Sequence, residues 1–155
     1  MFAGVALAWS ELPTELIERH GLGRRTHERG GEPEARFLFH DRERVLPVWL
    51  DGRLAVVRWG NRRGQSERLP CTAWTWLSTV EAGRWAEWGA EPVVIPAAMG
   101  LDRGVWYQVR EGVRGVVVRD EQGRPVVYVL VEAASHYYHV MTRSEWMPVL
   151  VGERI

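Results

Sequence analysis

Lysine is absent from this chain of 155 residues, so all twenty of its basic residues are arginine. Cysteine occurs once, at Cys71, which excludes an intramolecular disulfide and fits a reducing cytoplasm. No run approaches the roughly eighteen apolar residues of a membrane span, so no membrane partner is expected. The opening Phe2–Trp9 is apolar but short, with neither a basic leader nor a cleavage site, and reads as a strand rather than a signal peptide. There is no excess charge of either sign: twenty acids balance the twenty arginines. Whole-molecule attraction to a polyanion or an anionic membrane is therefore excluded, and any such affinity must come from a local patch.

Such a patch is present. Arg53, Arg58, Arg62, Arg63 and Arg68 fall within seventeen residues that hold one acid, Glu67. Arginine grips phosphate in a planar fork and stacks on bases, which suits nucleic acid. Nine tryptophans are the second excess. Most belong in a core, but tryptophan beside arginine is also the make-up of a single-strand stacking platform. Arg58–Arg68 with Trp59 is therefore the leading binding candidate, with a solvated loop and a buried Trp59 as the competing reading.

Length and composition fit one domain, 1–155, with a real hydrophobic core. Ser10 as N-cap, Pro13 in the first turn and Gly21 as stop predict a helix. Gly21–Glu34 reads as an exposed loop. Val45–Leu50 and Leu54–Trp59 flank Asp51-Gly52, a hairpin signal. Ser78-Thr79-Val80-Glu81 resembles a capping box and predicts a second helix to about Trp88, ending at Gly89. Strands are expected over Glu91–Pro96, over Gly104–Arg110 paired with Val113–Arg119 about Glu111-Gly112, and over Pro125–Glu132, His136–Met141 and Met147–Val151. Short β-branched strands with about two inserted helices predict an α+β fold around a barrel-like, largely antiparallel sheet.

Several landmarks follow one another in the order of a known family. Arg36–His40 with Val45-Leu46-Pro47-Val48 resembles that family's Tyr-Asn-Ile-Ala-Pro-Thr and Val-Pro-Val segment. Arg58-Trp59-Gly60 resembles its Trp-Gly-Leu, and Val94-Ile95-Pro96-Ala97 its Leu-Ile-Pro-Ala. Trp106-Tyr107-Gln108 lies where Phe-Tyr-Glu is expected, and Trp146-Met147-Pro148-Val149-Leu150 resembles Arg-Met-Pro-Val-Ile-Leu. By these the chain resembles the SOS response-associated peptidase (SRAP) family, over about residues 1–151. The resemblance implies an SRAP-like mixed fold and a role on single-stranded DNA, where the family's second-position cysteine traps abasic sites as a thiazolidine.

The same resemblance implies lost chemistry. Phe2, or Ala3 if the alignment slips by one, stands where the cysteine belongs. Gln108 replaces the assisting glutamate and cannot exchange a proton near neutrality. Ser144 falls at the histidine position, and Thr72 is the best placement for a segment whose Asn and Arg are gone. The reading is a pseudoenzyme, phage-related in origin, that retains binding to single-stranded or damaged DNA. Arg53, Arg58, Trp59, Arg62 and Arg63 are its DNA-binding candidates, with Trp106 and Tyr107 of second rank. The alternative is a non-catalytic protein-interaction module of phage or mobile-element origin that binds no DNA. No cofactor is expected. Cys71 reads as an inert thiol, and Ser135 or Ser144 lacks the glycine pattern of a nucleophile elbow. His136 and His139, on opposite faces of the expected strand, would not share a metal.

Overall fold

The structure, a computed structural model, describes residues 1–152. Among the described residues, twelve strands and three short α-helices form two sheets that share a main core, the α+β, mostly antiparallel arrangement that the strand pattern implies. No helix among the described residues is long and apolar enough to cross a membrane.

The first sheet is antiparallel throughout. It is built from β1 (Phe2–Ala8), β2 (Thr26–Arg29), β3 (Glu32–Leu38), β8 (Met99–Asp102) and β9 (Val105–Gln108), in the order β2-β3-β1-β8-β9. The second closes on itself. In it β4 (Val45–Leu50) pairs with β5 (Arg53–Trp59) and β7 (Glu91–Ile95), and β10 (Val113–Arg119) joins β7 to β11 (Pro125–Ala133). A parallel pairing of β11 with β5, Val126 against Arg58 and Val127 against Trp59, completes a five-stranded barrel. Two three-residue strands, β6 (Trp74–Trp76) and β12 (Trp146–Pro148), extend it along β11.

Both faces of β10 and β11 are buried, so their sequences are nearly continuous apolar runs. Val117, Val127, Val129 and Val131 point into the main core with Phe2, Leu46, Ile95 and Trp59. Val116, Val118, Val126, Tyr128 and Leu130 face outward beneath Leu69 and Trp85. The period of two is preserved, but a second layer covers what would otherwise be a wet face.

The Asp51-Gly52 turn forms as expected, with both residues at positive φ (52° and 76°), the conformation that a two-residue hairpin requires. Four local expectations are corrected. The first helix, α1 (Thr14–His20), starts after Pro13 rather than at Ser10, because proline holds Leu12 in extended backbone. Gly21 closes it in the left-handed conformation. The stretch Gly21–Glu34 is not one open loop: a 3-10 turn over Leu22–Arg25 leads into β2, which pairs with β3 across Gly30-Gly31. The second helix, α2 (Leu77–Glu81), is a single turn entered directly from β6, so Ser78 never becomes an N-cap. Gly83, at φ 79°, interrupts it, and Ala86–Trp88 forms a 3-10 turn that ends at Gly89. Gly104–Arg110 and Val113–Arg119 do not pair with each other. β9 folds back on β8 through Arg103-Gly104 instead.

The largest correction is α3 (His136–Thr142), where a strand was expected over His136–Met141. Ser135 Oγ accepts the Tyr138 N–H at 3.1 Å and starts a helix. Tyr138 and Thr142 then turn inward while Tyr137 and Val140 face solvent. His136 and His139 are therefore three residues apart on a helix, where such positions are neighbours, not on opposite faces of a strand. Among the described residues no three His, Cys, Asp or Glu side chains gather as a metal site.

Candidate nucleic-acid interface

The arginine-rich region folds around the mouth of the β4–β5 hairpin. Gly60, at φ 67°, turns the chain out of β5, and its N–H donates to the Val127 carbonyl at 2.8 Å. A Cβ there would lie 2.5 Å from the Thr72 carbonyl, so only glycine fits. Asn61, buried, then organises the following loop. Its Nδ2 donates to the Ser66 and Leu69 carbonyls, both at 2.9 Å, and its Oδ1 accepts the Ser66 N–H at 3.0 Å. Residues 61–70 are thus a tied loop whose bonds set where Arg62 lies.

A second segment, 39–44, faces this loop. Arg62 donates to the Asp41 and Arg42 carbonyls at 2.8 and 2.9 Å. Arg25, from the turn before β2, reaches the Asp41 carboxylate at 2.6 Å and the Glu43 carbonyl at 2.7 Å. Arg44 is 8% exposed; its Nε donates to the Trp59 carbonyl at 2.9 Å and its guanidinium covers the Phe39 ring at 4.3 Å. Burial, and next the charge of Arg62, lower the Arg44 pKa to about 10, so it remains a cation at neutral pH.

Between the segments opens a cleft of about 920 Å³. Seven arginines (24, 25, 42, 44, 58, 62 and 124) line it against two carboxylates, Asp41 and Glu43. Arg58 crosses its wall from β5. Its Nη2 lies 3.7 Å from Asp120 Oδ2, and neither Nη2 nor Nε has a hydrogen-bond partner although both are buried.

Of the expected DNA-binding residues, the cleft gathers Arg58, Trp59 and Arg62. Arg53 lines a neighbouring groove of about 650 Å³, and Arg63 is exposed on the loop. Trp59 is a correction: it is fully buried, packed edge-on to Phe2 and Phe39, with its indole N–H on the Ala73 carbonyl at 3.0 Å. It offers no free face for a base. Trp106 is half-buried on the other sheet, with the guanidiniums of Arg29 and Arg36 at 4.8 and 5.1 Å from its ring. Tyr107 is buried and bonded to the Tyr138 hydroxyl at 3.1 Å. Neither joins the cleft. Arg24, Arg25, Arg42, Arg44 and Arg124 were missed; the doublet Arg24-Arg25 and the run Arg42-Glu43-Arg44 were visible as charge, but not their convergence.

The four positions matched to the family's catalytic residues are not brought into one site. Phe2 is wholly buried in the aromatic core. Thr72 lies by the Asn61 loop, its carbonyl accepting the Asn61 N–H. Gln108 is exposed beside a hollow of about 320 Å³. Ser144 alone meets a charged network: its Oγ donates to buried Asp102 at 2.6 Å. Asp102 also accepts from the Met1 ammonium at 2.6 Å and the Tyr138 hydroxyl at 2.7 Å. Burial, then the neighbouring Tyr107 hydroxyl and last this carboxylate push the Tyr138 hydroxyl far above its ordinary pKa, so it stays a donor. Cys71 is exposed, with the Asn61 amide 3.7 Å from its sulfur.

Comparison with family models, curated proteins and solved structures returned no match.

Proposed function

We propose that this chain binds single-stranded nucleic acid in its arginine-lined cleft, as an SRAP-like protein without the family's thiazolidine chemistry. The observation that carries the reading is the cleft itself: seven arginines face two carboxylates, Arg44 is buried with no carboxylate among the described residues bonded to it, and half-buried Arg58 has two buried guanidinium nitrogens that lack a hydrogen-bond partner. A buried cation that lacks a paired anion is costly, and phosphate oxygens would relieve both side chains. The motif order and the barrel-like α+β fold support the family likeness. Phe2, buried in the core, and Gln108, exposed beside a hollow that Ser144 does not line, support the absence of its catalysis. The one thiol, exposed, fits work in a reducing cytoplasm.

With Trp59 sealed in the core, recognition runs through phosphates rather than base stacking. Affinity therefore falls steeply with salt and depends little on sequence.

The test is a paired gel assay with one intact strand and one carrying an abasic site, run native and denaturing. A salt-sensitive native shift on both strands and no covalent band is the expected result. A band that survives denaturation would show that crosslinking chemistry persists. No shift at low salt would remove strand binding and leave the protein-interaction module, for which exposed Trp49, Trp76 and Tyr137 provide apolar surface.

A further inference from the structure

The cleft has a floor, and its cations differ from those of an open track. Arg44 and Arg62 are held by backbone carbonyls and by the Phe39 ring, not by carboxylates. Arg58 faces a carboxylate that other donors have taken. Asp120 Oδ1 accepts the N–H groups of Gln122 and Arg124, both at 2.9 Å, and Oδ2 accepts Arg124 Nε at 3.1 Å. Arg58 Nη2 is left at 3.7 Å, outside hydrogen-bond range. Its two unmet donors, Nε and Nη2, form one edge of the guanidinium fork, the edge that grips two oxygens of a single anion. The three arginines line one cleft: Arg44 bonds to the carbonyl of Trp59, the residue after Arg58, and Arg62 bonds to the carbonyls of Asp41 and Arg42, just before Arg44.

The cleft also continues sideways. His20 and Val56 line both it and the 650 Å³ groove, whose walls include Leu16, Leu50, Leu54 and Pro125. A recessed cationic pocket thus opens onto an apolar shelf, with Arg53 beside that shelf.

We propose that cleft and groove together hold the phosphorylated end of a nucleic-acid strand, the terminal phosphomonoester on Arg44, Arg58 and Arg62 and the terminal nucleoside against Val56 and Leu54. This rests on the strand-binding reading and narrows it. An internal phosphodiester presents two free oxygens and one negative charge, which the Arg58 edge alone would use. A terminal phosphate carries about −1.5 to −2 at neutral pH and three acceptor oxygens. Two oxygens meet the Arg58 edge, and the third remains for Arg44 or Arg62. Engaging the buried edge of Arg58 draws the guanidinium away from Asp120 and into the cleft.

The experiment uses the full chain and fluorescence anisotropy on one short single strand, prepared with a 5′-phosphate, a 3′-phosphate or two hydroxyl ends. A deoxynucleoside monophosphate serves as competitor. One phosphorylated end should bind about tenfold tighter than the hydroxyl-ended strand, the scale of one added bidentate charge-assisted contact. Arg58→Gln and Arg44→Gln should abolish that preference, and Arg58→Lys should lose it while keeping most of the general affinity. Arg53→Gln should weaken all three strands alike. Arg62→Gln, which gives up only two loop carbonyl contacts, replaces any variant whose thermal melt shows misfolding. Equal, salt-dependent affinity for all three strands overturns end recognition and leaves strand binding standing. Binding of the mononucleotide with no strand bound, or no binding at all, overturns the strand reading and this proposal with it.

Discussion

The Arg44 guanidinium lies 4.3 Å from the centre of the Phe39 ring, fixed there by its bond to the Trp59 carbonyl. A cation so placed contacts the quadrupole of the ring on one side and the cleft on the other. Arg44→Gln should lower affinity for a single strand about tenfold at low salt and reduce the salt slope by about 0.7, the share of one phosphate contact on a single strand. An anisotropy titration across a salt series measures both. An unchanged slope would place Arg44 outside the interface.

Trp59 separates binding from stability. Its ring fills the barrel mouth against Phe2, Phe39 and Trp74, so Trp59→Ala should cost about 3–5 kcal/mol in urea unfolding. Trp59→Phe should cost less, mainly through the freed Ala73 carbonyl. If Trp59→Phe instead cut strand affinity tenfold with little change in stability, the indole would be a stacking face after all.

Asp120 opposes the proposed function while supporting the fold. Burial would raise its pKa, but the N–H groups of Arg124 and Gln122, the Arg124 side chain and its charge hold it below the ordinary carboxylate value. A lowered folded-state pKa gives stability that is present above the unfolded value, near 4, and lost as pH falls through the folded one. Asp120→Asn should therefore destabilise by about 1–2 kcal/mol at neutral pH, with the difference shrinking below pH 4. It should also tighten strand binding severalfold, because Arg58 loses a competing anion. Melting curves from pH 3 to 7 and a binding isotherm test the two halves separately; weaker binding by Asp120→Asn would count against the cleft.

Asp102 gathers Met1, Tyr138 and Ser144 at the junction of β8 and α3. Asp102→Asn should cost about 2–3 kcal/mol, since hydrogen bonds to a buried charge are worth more than neutral ones. Strand affinity should be unchanged. A variant as stable as the parent would mean that the network is replaceable by neutral bonds.

The legible parts of this chain were those with local causes. Asp51-Gly52 demands a tight turn, and β4 and β5 follow on either side. Runs of β-branched residues marked β10 and β11 as strands, although the second layer over their outer face depends largely on residues 69–88. At His136–Met141 the strand-rich surroundings suggested β, and the Ser135 cap decided for α. The Gly30-Gly31 turn was equally local, but the polar strands beside it read as loop. The arginine stripe at 53–68 was visible as charge, whereas its partners at 24–25, 42–44 and 124 arrive through packing. The burial of Trp59 likewise rests on a carbonyl fourteen positions away.

Closure of the barrel sets a timetable for synthesis. The seam joins Arg58 and Trp59 to Val126 and Val127, so β5 must leave the ribosome and wait for β11 with one edge unpaired. Pairing across so long a loop is slow, and an open edge beside unburied tryptophan invites the wrong strand. Nascent chains halted before β11 should therefore be aggregation-prone clients of chaperones and proteases, and one strand, Pro125–Ala133, would decide whether everything made before it survives.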